Sequence, residues 1–327
     1  MSTPTQSPPQ DARTAAGFAA PRIEQICNNI ERVLQGKTDA IKFVLVALVA
    51  NGHVLIEDVP GVGKTLLAKS VADSIGSTWR RIQFTSDLLP SDLLGVNVFD
   101  QNTGEFSFHP GAVFTNVLLA DEVNRASPKT QSALLECMEE RQITIDGRMY
   151  GLRDPFVVIA TQNPLEHEGT YPLPESQLDR FLMRISMGYP AREASMEMLE
   201  KHVDDTDADL KPVVSLEDVI ALQQISNGCF VADPLKEYVL DLGEATRYAT
   251  DVQLGISPRG CIHLLRAAKA AATLSGRHYV IPDDIKQLAH PVFEHRLVLA
   301  PEAEIRGVTA GEVLAGVLDA VPLRARA

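Results

Sequence analysis

HVLIEDVPGVGKTLLAKSVADSI, residues 53–75, is the stretch from which the fold can be read. An apolar strand, Val54 to Ile56, enters a Gly/Pro turn, passes Lys64-Thr65 and continues as an amphipathic helix. A chain holds a nucleoside triphosphate in this way. Gly61 and Gly63 carry no side chain, so the loop can curl and aim its N–H groups at phosphate oxygens. The helix then points its partly positive N-terminus at the same anion. Pro60, Gly61, Val62, Gly63, Lys64, Thr65 and Leu66 form the expected binding stretch. Within it, Lys64 reaches the β- and γ-phosphates and the Thr65 hydroxyl ligates Mg²⁺. One position departs from G-x-x-x-x-G-K-[ST]: Asp58 stands where the first glycine is usual. Aspartate tolerates turn geometry better than most residues, and the other backbone donors remain, so slower or weaker turnover is compatible with it.

Working outward, the chain of 327 residues is long enough for two or three domains with a sizeable core. Hydrophobic residues make up 45%, which places it in the soluble globular class. A net charge of -13 argues against non-specific DNA binding by the whole surface. The longest apolar run, Phe43 to Ala50, is too short to span a bilayer. The N-terminus lacks the basic start and apolar segment of a secretory signal, so the cytoplasm is the expected address. Residues 1–20 read as a flexible polar tail. Cys27, Cys137, Cys229 and Cys261 are scattered without C-x-x-C spacing and suit reduced, mostly buried thiols. His167-Glu168 begins like H-E-x-x-H, but Tyr171 fills the last position and no zinc site is expected.

Residues 21–52 read as two helices. The first has Ile23, Ile26, Ile30 and Val33 on one face and breaks at Gln35-Gly36; the second ends at Asn51-Gly52. Apolar strands at 54–57, 80–84, 117–120, 156–160 and 182–187 alternate with helices. That alternation predicts an α/β fold over 21–190, an αβα sandwich around a five-stranded parallel sheet. Two hairpins, at about 95–109 and 142–153, interrupt it; Asp146-Gly147 marks the second turn. Residues 191–212 form a connecting segment, helical over 191–201 and an acidic loop over 202–212. Residues 213–327 read as a small all-helical domain with helix starts at Ser215, Asp233-Pro234, Ser257-Pro258 and Pro282.

Val117-Leu118-Leu119-Ala120-Asp121-Glu122 is an apolar strand ending in two carboxylates. Consecutive strand residues face opposite ways, so Asp121 can hold the Mg²⁺ shell, through water, while Glu122 faces a water poised to attack the γ-phosphate. Such chemistry needs metal, water and positive charge in line rather than covalent help. Val157 to Asn163 is a second apolar strand, ending in an amide that can bond both the γ-phosphate and the attacking water.

The order of these motifs resembles an AAA+ ATPase. NPLEHEGTYPLPESQLDRF (163–181), ADEVNRASPKTQSALLECMEER (120–141) and SPRGCIHLLRAAKAAA (257–272) resemble the MoxR family, in the helix-2-insert branch. The resemblance covers nearly everything from about residue 22. It implies an AAA+ core and a helical lid, with Lys64 and Thr65 as Walker A residues, Asp121 and Glu122 as Walker B and Asn163 as sensor 1. It also implies that Arg180 is an arginine finger for the ATP of a neighbouring subunit and that Arg259 senses the γ-phosphate of its own subunit. Gly36 falls where the family contacts adenine, and the hairpins match inserts that face a central pore. The implied activity is Mg²⁺-dependent ATP hydrolysis driving a chaperone-like remodelling or cofactor-insertion motor. The implied partners are further copies in a hexameric ring, a separate von Willebrand A domain protein and a client protein. Physical chemistry agrees with the arginine roles. A guanidinium supplied in trans raises phosphoryl-transfer rates by ~10³ to 10⁵. A cation near a helix N-terminus, as at Arg259, is mildly unfavourable until an anion joins it. The same motifs also fit an ATP-gated binding module with negligible turnover. A nucleic-acid motor fits less well, because the chain is acidic and Phe106 and Phe108 read as hairpin core. A metal-chelatase motor subunit is a related alternative.

Overall fold

The computed structural model describes residues 10–102, 104–164, 169–189, 192, 196 and 210–323. From the N-terminus run α1 (Gln10–Glu31), α2 (Thr38–Val49), β1 (Val54–Glu57), α3 (Lys64–Ser74), β2 (Trp79–Gln83) and α4 (Pro90–Leu94). Next come the hairpin of β3 (Gly95–Asp100) and β4 (Glu105–Pro110), then β5 (Val117–Asp121) and α5 (Pro128–Glu140). A second hairpin, β6 (Gln142–Ile145) and β7 (Arg148–Gly151), precedes β8 (Val157–Gln162), α6 (Glu175–Leu178) and β9 (Met183–Ile185). The C-terminal half holds α7 (Leu216–Asn227), α8 (Asp233–Tyr248), β10 (Val252–Leu254), α9 (Pro258–Leu274) and α10 (Pro282–Phe293). It ends with β11 (Val298–Leu299), α11 (Pro301–Ile305) and α12 (Ala310–Ala320).

The five expected strands form one parallel sheet in the order β2-β5-β8-β1-β9. Their side chains alternate between two cores, as a period of two requires. Val54, Ile56, Val117, Leu119, Val157 and Ile159 face the layer of α1, α2 and α3, a core continuous with the lid. Leu55, Leu118, Ala120, Val158 and Ala160 face α5 and the hairpins. Parallel strands buried on both faces explain why these segments are apolar throughout.

Three expectations need correction. The segment read as a tail is helical from Gln10; α1 runs through Pro21 instead of starting there. It does so because Ala19 is fully buried and Arg22 lies 3.6 Å over the Phe18 ring while its Nε donates to Asp218 on α7 at 2.7 Å. The lid is helical, as expected, but also carries the short antiparallel ribbon β10–β11. In the first hairpin, Phe108 is partly buried against the core, stacked 4.2 Å from Tyr150. Phe106 is not core: it is 70% exposed and packs 5.2 Å from the half-exposed Phe99 ring. Asn97 Nδ2 donates to Asp146 Oδ2 at 2.6 Å and ties the two hairpins together. Residues 1–9 of the expected tail, His167-Glu168 and most of 191–209 lie outside the described residues; Arg192 and Met196 are helical.

Candidate functional site

At the carboxyl edge of the sheet, β1 hands over to a loop and α3 opens at Lys64. Gly61 and Gly63 have φ of 84° and 96°, the left-handed region that a β-carbon resists. A β-carbon on Gly63 would also come within 3.1 Å of Leu34 Cδ1. Pro60, Val62 and Leu66 flank these glycines, and Gly36, at φ 69°, lies in the turn just beyond Leu34. The Lys64 ammonium donates to the Asp58 carbonyl at 2.6 Å. Burial pushes its pKa down, while Asp58, Asp121 and Glu122 pull it back up. The phosphate loop and the paired carboxylates therefore share one field.

Asp121 ends β5 beside Thr161 of β8. Its Oδ1 accepts from Thr161 Oγ1 at 2.5 Å, and its Oδ2 accepts from Arg81 Nη2 at 2.6 Å. Glu122 has left the strand at φ 55° and is steadied by a bond from its N–H to Thr161 Oγ1 at 2.9 Å. Its Oε2 accepts from Gln83 Nε2 at 2.7 Å and Arg125 Nη1 at 3.0 Å. The two carboxylates thus point at different partners, though the left-handed turn at Glu122, rather than strand alternation, sets its direction. The register pairs Glu57 with Gln162, which brings the buried Asn163 alongside the loop at Asp58. The donor set fits Mg²⁺: the Thr65 hydroxyl and the Asp121 carboxylate are hard oxygens, and Asp121 already sits against a cation, Arg81.

Asp58 does more than tolerate its position. It is buried, and Oδ2 accepts from Met187 N at 2.6 Å, Gly188 N at 2.7 Å and Ser186 Oγ at 3.0 Å. Burial alone would push its pKa up, but the N–H donors of Gly188 and Met187, with Ser186 and Val59, outweigh it and hold the carboxyl below its usual value. From the other side, the buried Lys37 ammonium donates to the Met187 and Gly188 carbonyls at 2.8 and 2.6 Å. A carboxylate and an ammonium therefore grip both polarities of one peptide segment, at the exit of β9. The only sequence signal for Asp58 was its departure from the motif; Lys37 had none.

Arg180 and Arg259 lie at the other end of the strands. Arg180 precedes β9, and Glu139 closes α5, which runs back toward that edge. Arg180 Nε lies 3.4 Å from Glu139 Oε2, and Arg259 Nη1 lies 3.1 Å from Glu139 Oε1. Two turns further along, α9 follows the same edge: Arg266 donates to the carbonyls of Ala50 and Asn51, just ahead of β1. Arg259 was expected at its own subunit's phosphate; here it pairs with Glu139. The lid packs so that Arg259 stands beside Arg180, at the amino edge, while Lys64, Asp121, Glu122 and Asn163 gather at the carboxyl edge. Arg180 also lines a surface pocket of about 550 Å³ with Ser132, Glu136 and Thr144. Among the described residues, no group of three or more His, Cys, Asp or Glu forms a metal cluster. None of the described helices is long and apolar enough to cross a membrane.

Comparison with known proteins agrees with this architecture. Residues 53–183 match the family model of ATPases associated with various cellular activities, and residues 244–317 match the AAA lid domain. The chain is 49% identical over 305 residues to the uncharacterized protein YeaC of Bacillus subtilis, covering 92% of this chain and 94% of that protein. It is 41% identical over 320 residues to the chaperone MoxR1 of Mycobacterium tuberculosis, covering 94% and 85%. The solved structure of a candidate ATPase from Cytophaga hutchinsonii superposes with a TM-score of 0.91 at 38% identity, covering 97% of this chain and 99% of that one. With the phosphate loop, the paired carboxylates and the lid all in place, the chain belongs to the MoxR family of AAA ATPases.

Proposed function

We propose that this ATPase works as a closed ring of identical subunits, hexameric by family analogy, that remodels client proteins in the manner of a chaperone. In this reading one subunit binds Mg²⁺–ATP and the next supplies Arg180 and Arg259 to it. The observation that carries it is the segregation of the two sets of groups to opposite edges of one sheet. Strands of about five residues rising ~3.3 Å each separate those edges, a span that favours delivery of Arg180 and Arg259 to a neighbour's phosphates over those of their own chain. A contact between unlike edges is heterologous, and such contacts close into rings when the rotation allows.

Lys64 and the loop N–H groups bind the β- and γ-phosphates. Thr65 and Asp121 would hold Mg²⁺, which neutralises charge on the β- and γ-oxygens when bound. Glu122 takes the proton of the attacking water, and Asn163 orients that water. Glu122 must first leave Gln83 and Arg125, which occupy its Oε2 here. The guanidinium groups of the neighbour then stabilise charge on the transferred phosphoryl. Gly36 lies at the adenine end of the site. A separate von Willebrand A domain protein is the partner that family analogy suggests, and cofactor insertion is one form the remodelling could take.

The test is the ATPase rate per subunit against protein concentration, with mass measured in solution with and without ATP using Glu122→Gln. The expected result is a rate that rises with assembly and a Glu122→Gln ring that persists while ATP is bound. A rate independent of concentration from a strictly monomeric chain would overturn the trans arrangement and leave the binding site standing. Bound ATP that survives single turnover for hours in assembled wild-type protein would favour the gated binding module instead.

A further inference from the structure

We propose that Arg296 is the positioning residue for the pair of arginines presented to the neighbouring subunit. The inference rests on the trans reading above. Arg296 lies in the short 3-10 turn after α10, and only 3% of its side chain is exposed. A buried charge of this kind needs full compensation, and here it has it. Nε donates to Asp179 Oδ1 at 2.6 Å. Nη1 donates to the carbonyls of Val292 and Leu182 and to His295 Nε2 at 2.8 Å. Nη2 donates to the carbonyls of Asp179 and Phe181 and to His263 Nδ1 at 2.6 Å. All five N–H donors of the guanidinium are engaged.

Four of those acceptors belong to residues 179, 181 and 182, so the lid grips the backbone on both sides of Arg180. The other arginine is fixed by the same group. Arg259 precedes Gly260, whose missing side chain gives the Arg296 stem its room: a β-carbon there would lie 3.2 Å from Arg296 Cδ and 2.8 Å from Ile256 Cγ2. His263, one turn further along α9, accepts from the guanidinium. Arg180 on the core and Arg259 on the lid are thereby set side by side by one buried fork, and both meet Glu139. Lysine could not reproduce this, having three donors and no plane. Arg296 itself touches no phosphate.

The experiment is directional complementation. Arg180→Ala subunits keep an intact site but give an incomplete pair, Arg259 alone; Glu122→Gln subunits give both arginines but hydrolyse poorly. Mixed, they should recover ATPase activity that neither shows alone. Arg296→Lys is then added to one partner at a time, with nucleotide affinity and thermal melting followed for each. On the Glu122→Gln donor it should lower the recovered rate ~10- to 10²-fold, since misplacement by about 1 Å costs that much, and on the Arg180→Ala acceptor it should change it less than about 2-fold. Gly260→Ala is the gentler variant, which displaces the Arg296 stem without removing a hydrogen bond, and it should show the same donor bias at smaller size. Equal losses in both placements would make Arg296 a general fold residue and overturn the proposal. No recovery from the unmodified pair would sink the trans reading itself, and the proposal with it.

Discussion

The two ends of the central sheet are built from similar residues and behave as opposites. At the carboxyl edge the charged groups hold provisional partners. Lys64 rests on a loop carbonyl, Arg81 covers Asp121 from a half-exposed position, and Gln83 and Arg125 occupy Glu122. Each of these bonds can be exchanged for a phosphate, a metal ion or a water. At the amino edge, Arg296 is sealed among carbonyls, Asp179 and two neutral histidines, with no donor left to exchange. An edge that receives a ligand needs replaceable contacts, whereas an edge that gives a catalytic group needs a fixed frame.

The sharpest way to break this contrast is to remove Arg180, which the proposed ring would present from the amino edge. Arg180→Ala should lower the turnover of assembled protein by ~10³-fold or more without changing ATP affinity, as steady-state rates and nucleotide titration would reveal. On the receiving edge, Glu122→Gln should cost ~10² to 10⁴ in rate while binding persists. Wild-type turnover by either variant would erase the distinction.

Acid distinguishes the edges further. His53 and His263, both toward the amino edge, are held neutral to about pH 3, chiefly by burial, against an ordinary 6.5. The unfolded chain therefore binds more protons between those values, and stability should fall as pH drops from about 6.5 towards 3, by up to ~2 kcal/mol per histidine at pH 5. Urea midpoints at pH 7.5 and 5 would show it, and an unchanged midpoint would contradict it. Asp58→Ala should destabilise by ~1–3 kcal/mol, because the N–H groups of Val59, Met187 and Gly188 and the Ser186 hydroxyl lose their acceptor. Since the Asp58 carboxyl sits below its usual value, that contribution is present at neutral pH and disappears only in strong acid; the variant and the wild type should converge there. Glu139→Gln should be mildest, changing stability by less than about 1 kcal/mol, because its bonds to Arg180 and Arg259 are half-exposed and screened.

How legible each feature was depends on how local its physics is. The phosphate loop, the strand-end carboxylates, the Asp-Gly hairpin and the capped starts at Ser215 and Ser257 are settled by residues within a turn of one another. Pro21 misled because a proline usually opens a helix, whereas burial of Ala19 and the Phe18–Arg22 contact hold helix on both sides of it. The Asp58 grip spans about 130 positions and the Arg296 fork 117, distances at which spacing says nothing. His263 and His295 are buried, and their use as acceptors for a buried guanidinium is visible only once the lid is docked. The edge on which Arg259 stands was likewise set by domain packing, not by its motif.

The bond between Asp58 and residues 186–188 has a consequence for genetics. A lesion at Ser186, Met187 or Gly188 would loosen the phosphate loop from behind and mimic failure to hold nucleotide, although these residues have no motif to betray them. Second-site suppressors of such alleles should cluster around Lys37 and Asp58, the two residues that hold the segment from either side.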